Sequence, residues 1–253
     1  MIRNKLLLLA LLCAGCFHLN AQERSVFRSG YTRLGINKLG SDLDNSLSPK
    51  QNVFDGNYGA GTGYVLEFGR IFYFKDAEEQ RLVNYGLDWT YLSLNYNKMD
   101  QWEKYGEAAG VPDFYVDGSG TAAAISSKVG PILSINPIEA LVVDVRLQIA
   151  PTLRFFDISY FEEDQDETGR YFSFMNSQVE EDDYDSEAIK NRLAFGIAAN
   201  FGITVRRKAI GLSIDYISGK VKSNYEAGDV SGLSYGKEKI PAHNLQVKLS
   251  FSL

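Results

Sequence analysis

Apolar and polar residues alternate without a fault along the last ten positions of the chain. From Leu245 to Leu253 every odd position is apolar, and from Asn244 to Ser252 every even position is polar. Side chains of a strand point alternately to its two faces, so this segment has one apolar face and one polar face. Lys248 lies in the middle of the polar face, between Gln246 and Ser250. A strand with lipid outside and a polar interior behind it carries this pattern.

The same period of two recurs upstream and predicts seven more strands, over residues 25–36, 63–74, 83–97, 122–135, 141–155, 193–205 and 210–216. Phe27 and Tyr31 share one face of the first. In the third, the apolar phase shifts from Val83, Tyr85, Leu87, Trp89 and Tyr91 to Leu92, Leu94 and Tyr96, as a bulge would cause. In the fourth, Pro131 removes a ladder donor. Tight turns are predicted at residues 136–139 and at Arg206-Arg207-Lys208. The connections run long, short, long, short, long, short, long, with long polar stretches at 37–62, 98–121, 157–188 and 219–242. Membrane barrels of the outer membrane have short periplasmic turns and long extracellular loops, and a soluble sandwich has no reason for that rhythm. The pattern predicts an all-β, antiparallel up-and-down transmembrane barrel of eight strands. A count of ten would draw on hairpins within residues 113–121 or 171–178.

The amino end changes the picture next. Residues 1–21 read as a secretory signal peptide, with Arg3 and Lys5 before an apolar run and Ala21 as the cleavage point. Cys13-Ala14-Gly15-Cys16 leaves lipidation at Cys16 open as an alternative. Both cysteines and His18 fall in this leader, so residues 22–253, read as one barrel domain, keep His243 and no thiol. That excludes disulfides, cysteine-ligated metals and cysteine nucleophiles there. No apolar run is long enough for a membrane helix, so a membrane form must be a closed barrel. The net charge of −6, made more acidic by losing the leader, argues against nucleic-acid binding.

Leader, even strand count, loop rhythm and alternating last strand together resemble the small outer-membrane barrels of the OmpA/OmpX/OmpW type. The resemblance covers essentially all of residues 22–253. It implies residence in the outer membrane of a Gram-negative bacterium, contact with outer-membrane lipid and lipopolysaccharide, and recognition of the last strand by the barrel-assembly machinery. Such barrels usually end in an aromatic residue; here Phe251 stands two positions before Leu253.

Candidate chemistry follows from the faces. An eight-stranded barrel is only wide enough for side chains to fill. The predicted inward set carries both signs: Glu67, Asp88, Asp144 and Asp215 against Lys128, Arg146, Arg154, Arg192 and Lys248. Buried charges must pair, so these are expected to form a network closing the lumen; the alternative is a gate in a narrow channel for small or hydrophobic solutes. The third long stretch holds Glu162, Glu163, Asp164 and Asp166, then Glu180, Glu181, Asp182 and Asp183. Such oxygens suit a divalent cation or a partner, but no calcium-loop spacing is present. The intervening Tyr171-Phe172-Ser173-Phe174-Met175 would extend a hairpin or offer a docking surface. Phe72, Tyr73, Phe74, Tyr91, Tyr96, Phe155, Phe156 and Tyr160 are expected at the membrane interfaces. Residues 59–63, Gly-Ala-Gly-Thr-Gly, lack the following helix that a phosphate loop needs. His243, with Asp229 and Ser231 upstream, carries no lipase or acyltransferase motif, so a lipid-modifying enzyme ranks third. The functional expectation is a structural or surface-interaction role without a cofactor, through the extracellular loops and an envelope or surface partner.

Overall fold

The structure, a computed structural model, describes residues 26–75, 82–111, 113–163, 169–177, 189–229 and 232–253. In chain order the elements are β1 Gly30–Leu39, α1 Pro49–Asp55, β2 Thr62–Tyr73, β3 Val83–Lys98, α2 Trp102–Ala108, β4 Phe114–Ile138, β5 Leu141–Glu162, β6 Tyr171–Ser173, β7 Leu193–Arg207, β8 Ile210–Asp229, β9 Gly232–Pro241 and β10 Asn244–Ser252. Each of β1, β2, β3, β4, β5, β7, β8 and β10 pairs antiparallel with the next, and β10 returns to β1. The sheet closes into a ring of eight, which removes the open edges that a bilayer could not satisfy.

The two remaining strands lengthen the wall and leave its circumference unchanged. Lys220↔Pro241 and Ile217↔Asn244 share one register, so β9 continues β10 across Ala242 and His243. β6 fits between the far ends of β5 and β8, where β7 has stopped. Of the two places that a count of ten would draw on, 171–178 supplies, among its described residues, only this short strand. Residues 113–121 belong largely to β4.

Faces follow the alternation. Leu34, Phe68, Trp89, Ile125, Leu147, Phe201, Ile214 and Leu249 are all exposed, and they come from all eight ring strands. Glu67, Asp88, Lys128, Arg146, Asn200, Asp215 and Lys248 are buried. A water-soluble protein arranges these classes the other way round; an apolar belt of this extent suits lipid. The expected phase shift in β3 is a register slip between Thr90 and Ser93, matched by one between Phe68 and Gly69. Pro131 sits within β4 opposite Leu87.

Several boundaries move. β1 begins at Gly30 and turns Tyr31 inward, toward Asp88, so the first strand's outward face is Leu34 and Ile36. Arg206 belongs to β7, and the turn is Lys208-Ala209; the other tight turn is Glu139-Ala140, not residues 136–139. The larger correction concerns the long stretches. β4 and β5 run 25 and 22 residues, where about 9–11 suffice to cross a bilayer. Much of what reads as loop in 98–121, 157–188 and 219–242 is strand continuing past the membrane belt.

The alternation itself marks the crossing. Along β5 the inward face runs Asp144, Arg146, Gln148 and Thr152, then turns apolar at Phe156, Ile158 and Tyr160, while the outward face turns polar at Asp157 and Ser159. β8 makes the same change, from inward Ser213 and Asp215 to inward Val221 and Ala227, with Lys220 and Lys222 outside. Lipid outside and charge inside give way to water outside and an apolar core inside.

Candidate functional site

The polar half of the lumen is organised on Glu67. Its carboxylate accepts from Lys128 Nζ at 2.5 Å, from Lys248 Nζ at 2.7 Å and from Ser93 Oγ at 3.1 Å, and lies 3.7 Å from Arg33. Asp215 is the second centre. Arg146 donates from Nη2 to both its oxygens at 2.6 and 2.7 Å and from Nε at 3.1 Å, and Lys248 approaches to 2.6 Å. Asp88 accepts from the Tyr31 hydroxyl at 2.5 Å and faces Arg33 and Arg146 at 3.7 and 3.9 Å. Asn200, on β7, donates to Asp215 at 3.0 Å and to Gln148 at 2.8 Å. Every one of the eight ring strands thus contributes a group. The seven charged residues are each no more than 2% exposed, so the charges are screened by one another and not by water.

Small residues make this possible. A Cβ on Gly202 would fall on the Asp215 carboxylate and the Arg146 guanidinium, and one on Gly69 would fall on the Tyr31 ring. Arg33 stacks over that ring, 3.7 Å from its centroid.

The remaining inward charges expected from the sequence separate from this network. Asp144 pairs with Arg206 at 2.8 Å nearer the tight turns and accepts from Ser134 at 2.5 Å. Arg192, expected inside, instead turns outward just before β7 and pairs with Asp157 on the outer face of β5, where Ser119 also donates to the carboxylate. Arg154 is buried with no carboxylate among the described residues, and its guanidinium lies 5.8 Å from the Phe156 centroid. Arg33 and Arg206 are the charged members that the sequence reading missed. Arg33 shares the face of Tyr31, which the sequence reading takes as apolar and outward, and Arg206 is read as part of a basic turn.

Above Arg154 the inward side chains form an apolar cap. Tyr58, Trp102, Tyr105, Phe156, Tyr160, Phe172 and Phe174 pack with Leu39, Val53 and Ile240. Phe156 and Phe174 stack at 4.2 Å and 9°, and Tyr58 lies 5.4 Å from Phe156. Trp102 Nε1 donates to the Tyr58 carbonyl, Tyr58 to that of Pro241, and Tyr105 to that of Leu47, so each polar tip is satisfied. α1 is set by a capping box, Ser48 with Gln51, by Pro49 in its first turn, and by Gly56 in the left-handed conformation at its end. Burial pushes the Tyr58 phenol well above its ordinary value. At the exposed rim, hydrogen bonds from Lys38 and Gln101 hold the Asp42 carboxyl below the usual range.

This cap corrects the expected girdle. Phe72, Phe74, Tyr91 and Tyr96 are outside, as expected of interface residues, but Phe156 and Tyr160 lie in the cap core. Tyr73 bonds Ser134 and accepts from Arg206 within the barrel. The Tyr171–Met175 stretch turns Phe172 and Phe174 into the same core instead of offering them for docking.

Of the candidate cation loop, Glu162 is buried and accepts from Arg170 and Tyr160, and Glu163 is exposed beside it. Asp164, Asp166, Glu180, Glu181, Asp182 and Asp183 lie outside the described residues. Among the described residues no three metal-ligating side chains gather. In residues 59–63, Gly61 faces the Asp100 carboxylate, which leaves no seat for a phosphate. His243 shares a hydrogen bond at Nδ1 with Ser218, 3.1 Å, and stacks parallel to Tyr216. Ser231 and the Asp229 side chain lie outside the described residues.

No family model and no curated protein matches the chain. Among solved structures, it is similar to a major outer membrane protein from Thermus thermophilus. That match has a TM-score of 0.40 and 9% identity, over 89% of this chain and 99% of that one. A mutant porin of Rh. blastica aligns over 90% of this chain and 99% of its own, at a TM-score of 0.13 and 7% identity. The barrel stands on this chain's own strand pairings.

Proposed function

We propose that the chain is an outer-membrane β-barrel of a Gram-negative envelope that acts without chemistry, in a structural or surface-interaction role, with its lumen shut. The observation that carries the reading is the double closure. A network fed by all eight strands fills mid-depth, and an aromatic cap with two helices seals the end that bears the long connections. A solute path would have to break buried ion pairs and open an apolar core, both of which cost several kcal/mol. The tight turns at Glu139-Ala140 and Lys208-Ala209 support a reading in which that end faces the periplasm and the cap faces outward.

The apolar belt then meets outer-membrane lipid, the rim meets lipopolysaccharide, and β10 is the strand that the assembly machinery reads. Exposed Tyr115, Leu233 and Tyr235, on strand extensions beyond the belt, are available to an envelope or surface partner. His243, held by Ser218 and Tyr216, serves as a wall residue near the belt's edge.

The test is complementation of a deletion strain. Loss of the gene is expected to raise sensitivity to detergent or weaken surface attachment, and the full chain to restore the parent behaviour. A chain whose residues 42–58 and 100–111 are replaced by short Gly-Ser turns still inserts but does not restore it. Full restoration by the capless chain would refute a role for the cap.

A further inference from the structure

Arg154 raises a question that the ion-pair network does not answer. Its side chain is 4% exposed, its Nε has no hydrogen-bond partner, and no carboxylate among the described residues approaches it. A guanidinium stays charged in proteins, so the positive charge cannot be shed by losing a proton. The ring of Phe156 offsets only part of a full buried charge.

The central network sharpens the imbalance. It holds four cations, Arg33, Lys128, Arg146 and Lys248, against three carboxylates, Glu67, Asp88 and Asp215. Inside the barrel Asp144 is matched by Arg206, and the Arg192–Asp157 pair lies on the outer face. With Arg154 added, the barrel interior carries two positive charges in excess among the described residues.

Arg154 lines a small chamber between the network and the cap. Asn95, Ser126, Thr152 and Asn244 give it polar groups, and small residues such as Ala198 make room. Its space for the centres of water-sized occupants is about 10 Å³, the room of a single small molecule or ion. Asn244 is buried, its Oδ1 has no partner, and no hydrogen bond fixes which end of its amide faces inward. Turned so that its NH₂ faces the chamber, it joins the Ser126 hydroxyl and the Arg154 guanidinium as a donor set, while the Thr152 hydroxyl donates to the Ala150 carbonyl.

We propose that this chamber is a binding site for one small monovalent anion of halide size, held by Arg154. The ion supplies the negative charge that the wall lacks, and the cap closes over it. Water alone would satisfy the hydrogen bonds but leave the charge.

The test uses the full folded chain in detergent, at equal ionic strength in sodium chloride, bromide or gluconate, so that general screening is constant. The thermal midpoint is expected to be higher in both halides than in gluconate, with a saturable dependence. At 100 times the dissociation constant, the folding equilibrium constant rises about 100-fold. The halide increment is expected to vanish in Arg154→Met and to persist in Arg154→Lys. Crystals of the unaltered protein grown in bromide are expected to show anomalous density in contact with the Arg154 guanidinium; this readout does not depend on any variant folding. Equal midpoints in the three salts, or bromide found only on the outer surface with water in the chamber, would overturn the assignment.

Discussion

Glu67→Leu is expected to lower the unfolding free energy in lipid or detergent by about 3–5 kcal/mol, the usual consequence of removing one partner from a buried ion pair. Glu67 is the acceptor on which Lys128 and Lys248 converge, with Arg33 close by, and none of the four reaches solvent. Leucine fills much of the same volume, so the loss is one of charge compensation rather than packing. The three cations are left facing Asp88 and Asp215 alone. Glu67→Gln keeps an acceptor and is expected to lose less. Adding Lys128→Met to Glu67→Leu removes one stranded cation and is expected to recover part of the loss. Urea unfolding followed by the heat-modifiable electrophoretic shift of a folded barrel measures all three. A Glu67→Leu protein as stable as the parent would mean that the lumen charges do not hold the barrel together.

Phe156→Ala is expected to act at the other end and on a different property. The ring is fully buried, stacked on Phe174 and packed against Tyr58. Its deletion leaves a cavity costing about 3–5 kcal/mol, because the surrounding backbone is pinned to the β5 wall and cannot collapse. That loss falls on the cap, which local opening exposes without unfolding the ring. Cleavage of residues 40–61 by an external protease is expected to accelerate by about two to four orders of magnitude, as the open population rises. The barrel should keep its heat-modifiable mobility throughout. Unchanged cleavage would show that the aromatic cluster does not hold the cap closed.

The membrane-spanning half of this molecule was legible in the sequence because one physical rule governs it. Lipid outside and charge inside impose a strict period of two, and Glu67, Asp88, Lys128, Arg146, Asp215 and Lys248 could be placed by parity alone. Even the bulge in β3 was written in the shift from Tyr91 to Leu92. Beyond the belt the rule inverts. At Phe156 on β5 and near Ile217 on β8 the apolar residues change faces, and a reading that looks for one unbroken alternation sees the strand end there. The signal was present as a reversal of phase, with aromatics at Phe156 and Tyr160 that look like interface residues until the inward face is counted through. The cap was less legible. Its core joins residues as distant as Tyr58, Trp102 and Phe174, and no local period records that meeting. Arg33 was missed for a simpler reason: placing Phe27 and Tyr31 on one apolar face hid the inward parity of Tyr31 and of the arginine beside it.

The central claim is that this barrel is closed, and planar-bilayer conductance tests it most directly. Refolded protein, shown to be folded by its heat-modifiable mobility, is inserted beside Lys128→Ala, which removes one leg of the Glu67 centre. The account predicts a silent bilayer for the parent chain. Steady discrete openings in the parent, altered in Lys128→Ala, would contradict it and make the lumen charges the lining of a channel.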